Sequence, residues 1–214
     1  MKPSIEAISF NGIEALRLNG PRGASAIISK LGAQVLSWVP PDGKERLFLS
    51  DKAVFDGSVA MRGGVPVCFP QFAELGELPK HGLVRTREWS VASRRCGDDY
   101  ALATLEIADD AETRALWPHA FKAEMTVMLE VDRVYHDVRR PQLLKAGNLS
   151  LGIQSQGFPD VVVWNPWVDK CATLADMPAD GWRHMLCVEA AIARQPVTLP
   201  AGEEWYGRQT LVAV

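Results

Sequence analysis

With 214 residues, 47% of them hydrophobic and 23% charged, the chain is long enough to bury a substantial core and too apolar to stay disordered. Its net charge of -3 lacks the basic excess of a nucleic-acid-binding module, so no nucleic acid is expected among its partners. No apolar run approaches the length that crosses a bilayer, and the opening Met1-Lys2-Pro3-Ser4-Ile5-Glu6 lacks the apolar heart of a signal peptide, so the expectation is a cytoplasmic protein that meets no membrane.

Along the chain, period-2 patterning dominates. Asn11-Gly12 sits between Ile8-Ser9-Phe10 and Ile13-Glu14-Ala15-Leu16, a strong hairpin signal because a type I′ turn needs positive φ at both central residues. Strands are predicted at residues 25–28, 34–39 and 89–92. Ala101, Ala103, Leu105 and Ile107 then alternate with Leu102, Thr104 and Glu106, and Ala123, Met125, Val127, Leu129 and Val131 with Glu124, Thr126, Met128 and Glu130. Val161 to Val163 reads as a buried strand within 161–164, and a last strand is predicted at 210–214. Helical signals are short: residues 172–177 and 187–194 are each predicted to make a turn or two. The 17 glycines and 14 prolines punctuate the chain without a linker or repeat. The pattern predicts one all-β domain over residues 1–214, an antiparallel β-sandwich.

Cys68, Cys96, Cys171 and Cys187 form no Cys-x-x-Cys pair, and a disulfide framework is not expected in a chain of this length without an export signal. His81, His119, His136 and His184 are equally dispersed, and no metal site is predicted.

The densest segment for chemistry runs from Met61-Arg62-Gly63-Gly64-Val65-Pro66 through Leu78-Pro79-Lys80-His81-Gly82-Leu83-Val84-Arg85-Thr86-Arg87. Lys80, His81, Arg85 and Arg87 gather donors in an otherwise acidic chain, and Arg62 can join them across the loop. Arginine suits a phosphate because its planar fork gives two parallel, charge-assisted hydrogen bonds. The alternative is a solvated face balanced by Glu74, Glu77 and Glu88, the commoner fate of charge runs. A second cluster, Asp160-Val161-Val162-Val163-Trp164-Asn165-Pro166-Trp167, offers two tryptophans as a wall for a sugar ring or, equally, as core or rim aromatics. In a third, Met185-Leu186-Cys187-Val188-Glu189-Ala190-Ala191, a carboxylate stands among apolar and small residues. There it is either an acid/base group or an exposed strand-end residue.

Together these segments resemble the glucose-6-phosphate 1-epimerase branch of the aldose 1-epimerase family. The resemblance is carried by Arg62-Gly63-Gly64-Val65-Pro66, Leu78-Pro79-Lys80-His81-Gly82-Leu83-Val84-Arg85, Trp117-Pro118-His119-Ala120-Phe121 and Val131-Asp132-Arg133-Val134-Tyr135. It continues in Pro159-Asp160-Val161-Val162-Val163-Trp164-Asn165-Pro166-Trp167, Cys187-Val188-Glu189 and Pro200-Ala201-Gly202-Glu203-Glu204-Trp205, in the family's order. It implies a galactose mutarotase-like antiparallel supersandwich. The implied activity interconverts the α and β anomers of a hexose 6-phosphate, so that the partner is a small-molecule sugar phosphate. By the same resemblance Arg62 and Arg85 bind the substrate and its phosphate, Asp160 holds sugar hydroxyls and Glu189 is the general base; Trp164, from the tryptophan pair above, is expected to contact the sugar ring. Lys80 stands where the motif usually has glutamine, keeping a donor but losing an acceptor. The reaction moves protons only, so no cofactor is implied.

The family's acid histidine lies between the segments matched here by Trp117-Pro118-His119 and Val131-Asp132-Arg133-Val134-Tyr135, which in this chain are only a strand's length apart. The intervening central strands are absent and the histidine with them. His81 is the natural substitute, since an imidazole of ordinary pKa acts as an acid near neutrality; His119 is expected to be structural. The alternative is a catalytically impaired sugar-phosphate-binding protein. Strand edges left by the deletion make self-association an expectation as well.

Overall fold

The computed structural model describes residues 2–130, 142–147 and 149–213. Val131-Asp132-Arg133-Val134-Tyr135 and His136 lie outside the described residues. The chain divides into two compact units, one of Met1–Val131 with Pro166–Met185 and the other of Asp132–Asn165 with Leu186–Val214.

The first unit opens with an antiparallel meander of β1 (Ser4–Phe10), β2 (Ile13–Asn19), β3 (Ser25–Ser29) and β4 (Val35–Val39), hydrogen-bonded in that order. Asn11 and Gly12 join β1 to β2 at φ 47° and 88°, the left-handed pair that a type I′ hairpin demands. Strands β5 (Ser90–Cys96), β6 (Tyr100–Ala108) and β7 (Lys122–Glu130) form a second antiparallel sheet. Alternation puts Ala101, Ala103 and Leu105 of β6 on one face, directly opposite Leu129, Val127 and Met125 of β7. That face packs against Leu16 and Leu18 of β2 and Ala26 and Ile28 of β3, with buried Trp89 in the same cluster. Two sheets closed over one apolar interior make a β-sandwich, held chiefly by area withdrawn from water. Ala15 and Ile27 point to the other face of the meander, where Leu31, Leu36 and Met61 cover them. The first sheet is thus buried on both sides, and part of its cover is the glycine-rich loop.

Between β6 and β7 the chain makes α1 (Ala111–Leu116), an element the periodicity does not announce. Its start is fixed by a capping box: the Asp110 carboxylate accepts from the Thr113 N–H, and the Thr113 hydroxyl accepts from the Asp110 N–H, both at 2.8 Å.

In the second unit, β8 (Gln142–Ala146) and β9 (Leu149–Gln156) precede β10 (Asp160–Trp164). The chain then leaves for the first unit, where it forms α2 (Trp167–Ala172), and returns as β11 (Cys187–Ala191) and β12 (Arg208–Ala213). Strands β12, β9 and β8 pair in that order, and β10 pairs with β11. Three expectations need correction here. Residues 187–194 are not helical: five of them pair in register with β10, and cross-strand pairing overrides the local helix preference of small and straight side chains. The helix expected at 172–177 lies earlier and ends at Ala172, anchored by buried Cys171. Val161 and Val163 are 42% and 64% exposed rather than buried, because the β10–β11 ladder is two strands wide among the described residues.

The sandwich interior sets the stability of the first unit. Leu105→Ala removes a fully buried side chain and should cost about 2–5 kcal/mol in urea unfolding, whereas Leu116→Ala, at an exposed position on α1, should stay within about 0.5 kcal/mol.

Candidate active site

The glycine-rich loop is built by close backbone approach. Gly64 takes φ 60° and Gly63 φ 115°. A Cβ on Gly64 would run into the Val35 carbonyl, and one on Gly63 into the Phe48 carbonyl. The loop instead lies directly on β4: the Val65 N–H donates to the Val35 carbonyl at 2.8 Å, and the Gly64 N–H to the Phe48 carbonyl at 2.7 Å. From beneath, the buried Gln34 amide donates to the carbonyls of Met61 (3.2 Å) and Gly63 (2.6 Å). These contacts fix the backbone on both sides of Arg62.

A second arm carries His81. The buried Gln71 side chain spans its turn, donating to the Ala73 and Leu78 carbonyls at 3.1 and 3.0 Å and accepting from the Leu78 N–H at 3.1 Å. The His81 N–H donates to the Ala73 carbonyl and the Leu83 N–H to the Phe69 carbonyl. His81 itself is held at φ 68°, a left-handed conformation that a non-glycine residue seldom adopts without a surrounding frame.

The charges of three cations act on this imidazole. Burial first, and then the charges of Arg85, Lys80 and Arg62, push its pKa down to about 4, with Glu74 opposing weakly. Nδ1 accepts from the Ala73 N–H at 3.2 Å and lies 3.3 Å from the Cys68 sulfur, which leaves the ring proton on Nε2. His81 is therefore a neutral N–H donor at pH 7, not the imidazolium of ordinary pKa that the sequence suggests. The cations differ in their commitments. Arg62 is paired with Asp176. Lys80 is exposed and 3.5 Å from Glu74. Arg85 Nε is buried and finds no hydrogen-bond partner among the described residues. Arg87 leaves the cluster, bonding Asp110 at 2.6 Å and Glu112 at 2.9 Å beside α1. Guanidinium and ammonium groups of this kind are the side chains that suit an anion.

In the second unit the β10–β11 register sets Val162 opposite Glu189, Asp160 opposite Ala191 and Trp164 opposite Cys187. Residues paired this way share a face, so Glu189 stands between Asp160 and Trp164, each on a diagonal of roughly 7–8 Å. The Asp160 carboxylate accepts from the Ala193 and Arg194 N–H groups at 2.8 and 2.9 Å, which hold its pKa below the usual carboxylate value. Of the remaining histidines, His119 packs on Trp117 with ring centroids 4.7 Å apart, as a structural residue would. The sequence reading missed Gln71, Cys68 and Asp176. The first two lie inside the Pro66-Val67-Cys68-Phe69-Pro70-Gln71 run and were legible as loop residues, whereas nothing near Asp176 marks it.

The family model described as Aldose 1-epimerase matches residues 14–155 and 143–211. The chain belongs to the aldose 1-epimerase family. A protein of Cenchrus ciliaris named "Putative glucose-6-phosphate 1-epimerase" is 29% identical over 284 residues, covering 95% of this chain and 86% of that protein. A protein of the same name from Escherichia coli is 27% identical over 261 residues, covering 91% and 88%. Both matched stretches are longer than the 214 residues of this chain, so each relative carries residues that this chain lacks. The crystal structure of a "putative mutarotase" from Salmonella typhimurium shares the fold at a TM-score of 0.79 and 21% identity, covering 98% of this chain and 93% of that one. No helix among the described residues is long and apolar enough to cross a membrane.

A histidine whose folded pKa lies near 4, below its ordinary 6.5, binds its proton more readily when the chain is unfolded. Its contribution to stability is complete above pH 6.5 and is lost as pH falls through 4. Urea midpoints of the native protein should fall across that window more steeply than those of His81→Asn; parallel profiles would contradict a buried neutral imidazole.

Proposed function

We propose that this aldose 1-epimerase family member is a hexose-phosphate mutarotase, with glucose 6-phosphate the substrate to test first. What supports this reading is that Arg62, Lys80, His81 and Arg85 share one glycine-rich loop and that all three charges act on His81, with the Arg85 Nε–H buried and without a partner among the described residues. A phosphate dianion answers both features, since it supplies charge and acceptor oxygens together. The names of the relatives point the same way.

In the proposed mechanism Glu189 takes the proton from the anomeric hydroxyl. The bond between C1 and the ring oxygen breaks, and the ring oxygen acquires a proton. The aldehyde turns about C1–C2, and closure on the other face returns the proton to the new anomeric hydroxyl. Asp160 and Trp164 hold the sugar by hydroxyl contact and ring stacking, Lys80 adds a donor, and Arg62 and Arg85 take the phosphate. His81 steadies the ring oxygen with a hydrogen bond from its neutral Nε2–H, and the proton that oxygen acquires is relayed through water from Glu189, which has just taken one from the anomeric hydroxyl.

A second reading, binding without turnover, is favoured by one observation: the matched stretches of the relatives exceed this chain in length. Anomer exchange on glucose 6-phosphate, followed by NMR, separates the two. For an enzyme, Glu189→Gln should slow exchange by about 10²–10⁴-fold, and Arg85→Ala should weaken substrate binding. Exchange at the buffer rate in native and variant alike, with saturable binding lost in Arg85→Ala, would leave the binding protein.

A further inference from the structure

Arg62 and Asp176 are 114 positions apart, yet they form a two-point pair inside the first unit. Nε of Arg62 donates to Oδ2 at 3.0 Å and Nη2 to Oδ1 at 3.2 Å. Ser50, itself buried, ties both partners: its N–H donates to the Arg62 carbonyl at 3.0 Å, and its hydroxyl donates to the Asp176 carbonyl at 2.7 Å. Side chain and backbone close a ring of hydrogen bonds through three residues. The excursion Pro166–Met185, which leaves β10 and returns into β11, is thereby fastened beside the glycine loop.

A guanidinium offers five N–H donors and two forked edges, one through Nε and Nη2 and one through Nη1 and Nη2. Asp176 occupies the first. Nη1 makes no hydrogen bond among the described residues. We propose that Asp176 is a positioning residue: by holding the inner fork of Arg62, it presents the outer fork, through Nη1, to the anionic group of the ligand. The proposal rests on Arg62 being an anion contact, as in the function proposed above. Asp176 opposes the site in charge and serves it in geometry. The orientation is what a planar acceptor pair supplies and what a free side chain in water would lack.

The two effects separate with Asp176→Glu, which keeps the charge and displaces the carboxylate by one methylene. It should weaken glucose 6-phosphate binding about tenfold, the worth of one misaligned charge-assisted hydrogen bond. If the chain turns substrate over, the loss should appear in KM with kcat held within about twofold, since a binding contact away from the reacting carbon is removed from ground and transition state alike. In an Arg62→Ala background the same change should add nothing, because the two residues act as one unit. Unchanged affinity in Asp176→Glu while Arg62→Ala weakens binding would overturn the positioning role and leave the anion contact standing. Unchanged affinity in Arg62→Ala would remove the contact, and the proposal with it. Asp176→Asn, of the same shape, gives a check without ligand: one acceptor becomes a donor, so the Arg62 Nε–H resonance, assigned by its loss in Arg62→Lys, should move. An unmoved resonance would also overturn the proposal.

Discussion

The glycine loop lies against strand β4 at a distance that excludes any side chain between the two backbones. That constraint orders much of the first unit. It leaves no room for a side chain at Gly64, as the Phe48 carbonyl leaves none at Gly63, brings the Gln34 amide to the Met61 and Gly63 carbonyls, and lets Met61 complete the cover over the outer face of the meander. Arg62 is the residue caught between these fixed points. Its guanidinium has little backbone freedom left, and Asp176 removes much of what remains in the side chain. A rigid frame of this kind lets a charged group meet a ligand without first being ordered, which is where flexible cationic surfaces lose affinity.

Electrostatics explains why His81 belongs to the same frame. Burial, and then the charges of Arg85, Lys80 and Arg62, keep the His81 imidazole neutral, and the Ala73 N–H fixes the tautomer by occupying Nδ1. The same charges that would favour an anion also disfavour the imidazolium, in the same direction as burial, the larger cause.

Much of the fold was legible because β-strands write themselves into sequence at period 2. Ala101, Ala103 and Leu105 face inward where their alternation says they should, and Asn11-Gly12 turns as its residue types require. Helices were misread for local reasons. Cys187-Val188-Glu189-Ala190-Ala191 has acceptable helix formers, but β10 offers it a ladder, and no local rule weighs a partner that far away. The start of α1 escaped notice because threonine stands at the position where a capping box usually shows glutamate or glutamine. Arg62, Lys80, His81 and Arg85 stood out as candidates since one contiguous loop carries them. Arg87 looked equivalent but is drawn off by Asp110 and Glu112, and Asp176 was invisible because only the tertiary fold brings it to Arg62.

The Arg85 Nε–H, buried and without a partner among the described residues, bears on how long the protein lasts. A buried donor without an acceptor lowers the stability of the empty chain by about 1–3 kcal/mol. A molecule that brings oxygen to that donor does so only in the folded state, so occupancy draws the population away from unfolded forms by mass action. Proteolysis acts on those unfolded forms. Cellular abundance would then follow the supply of whatever ligand fills that place, rising when it is plentiful and declining through degradation when it is scarce.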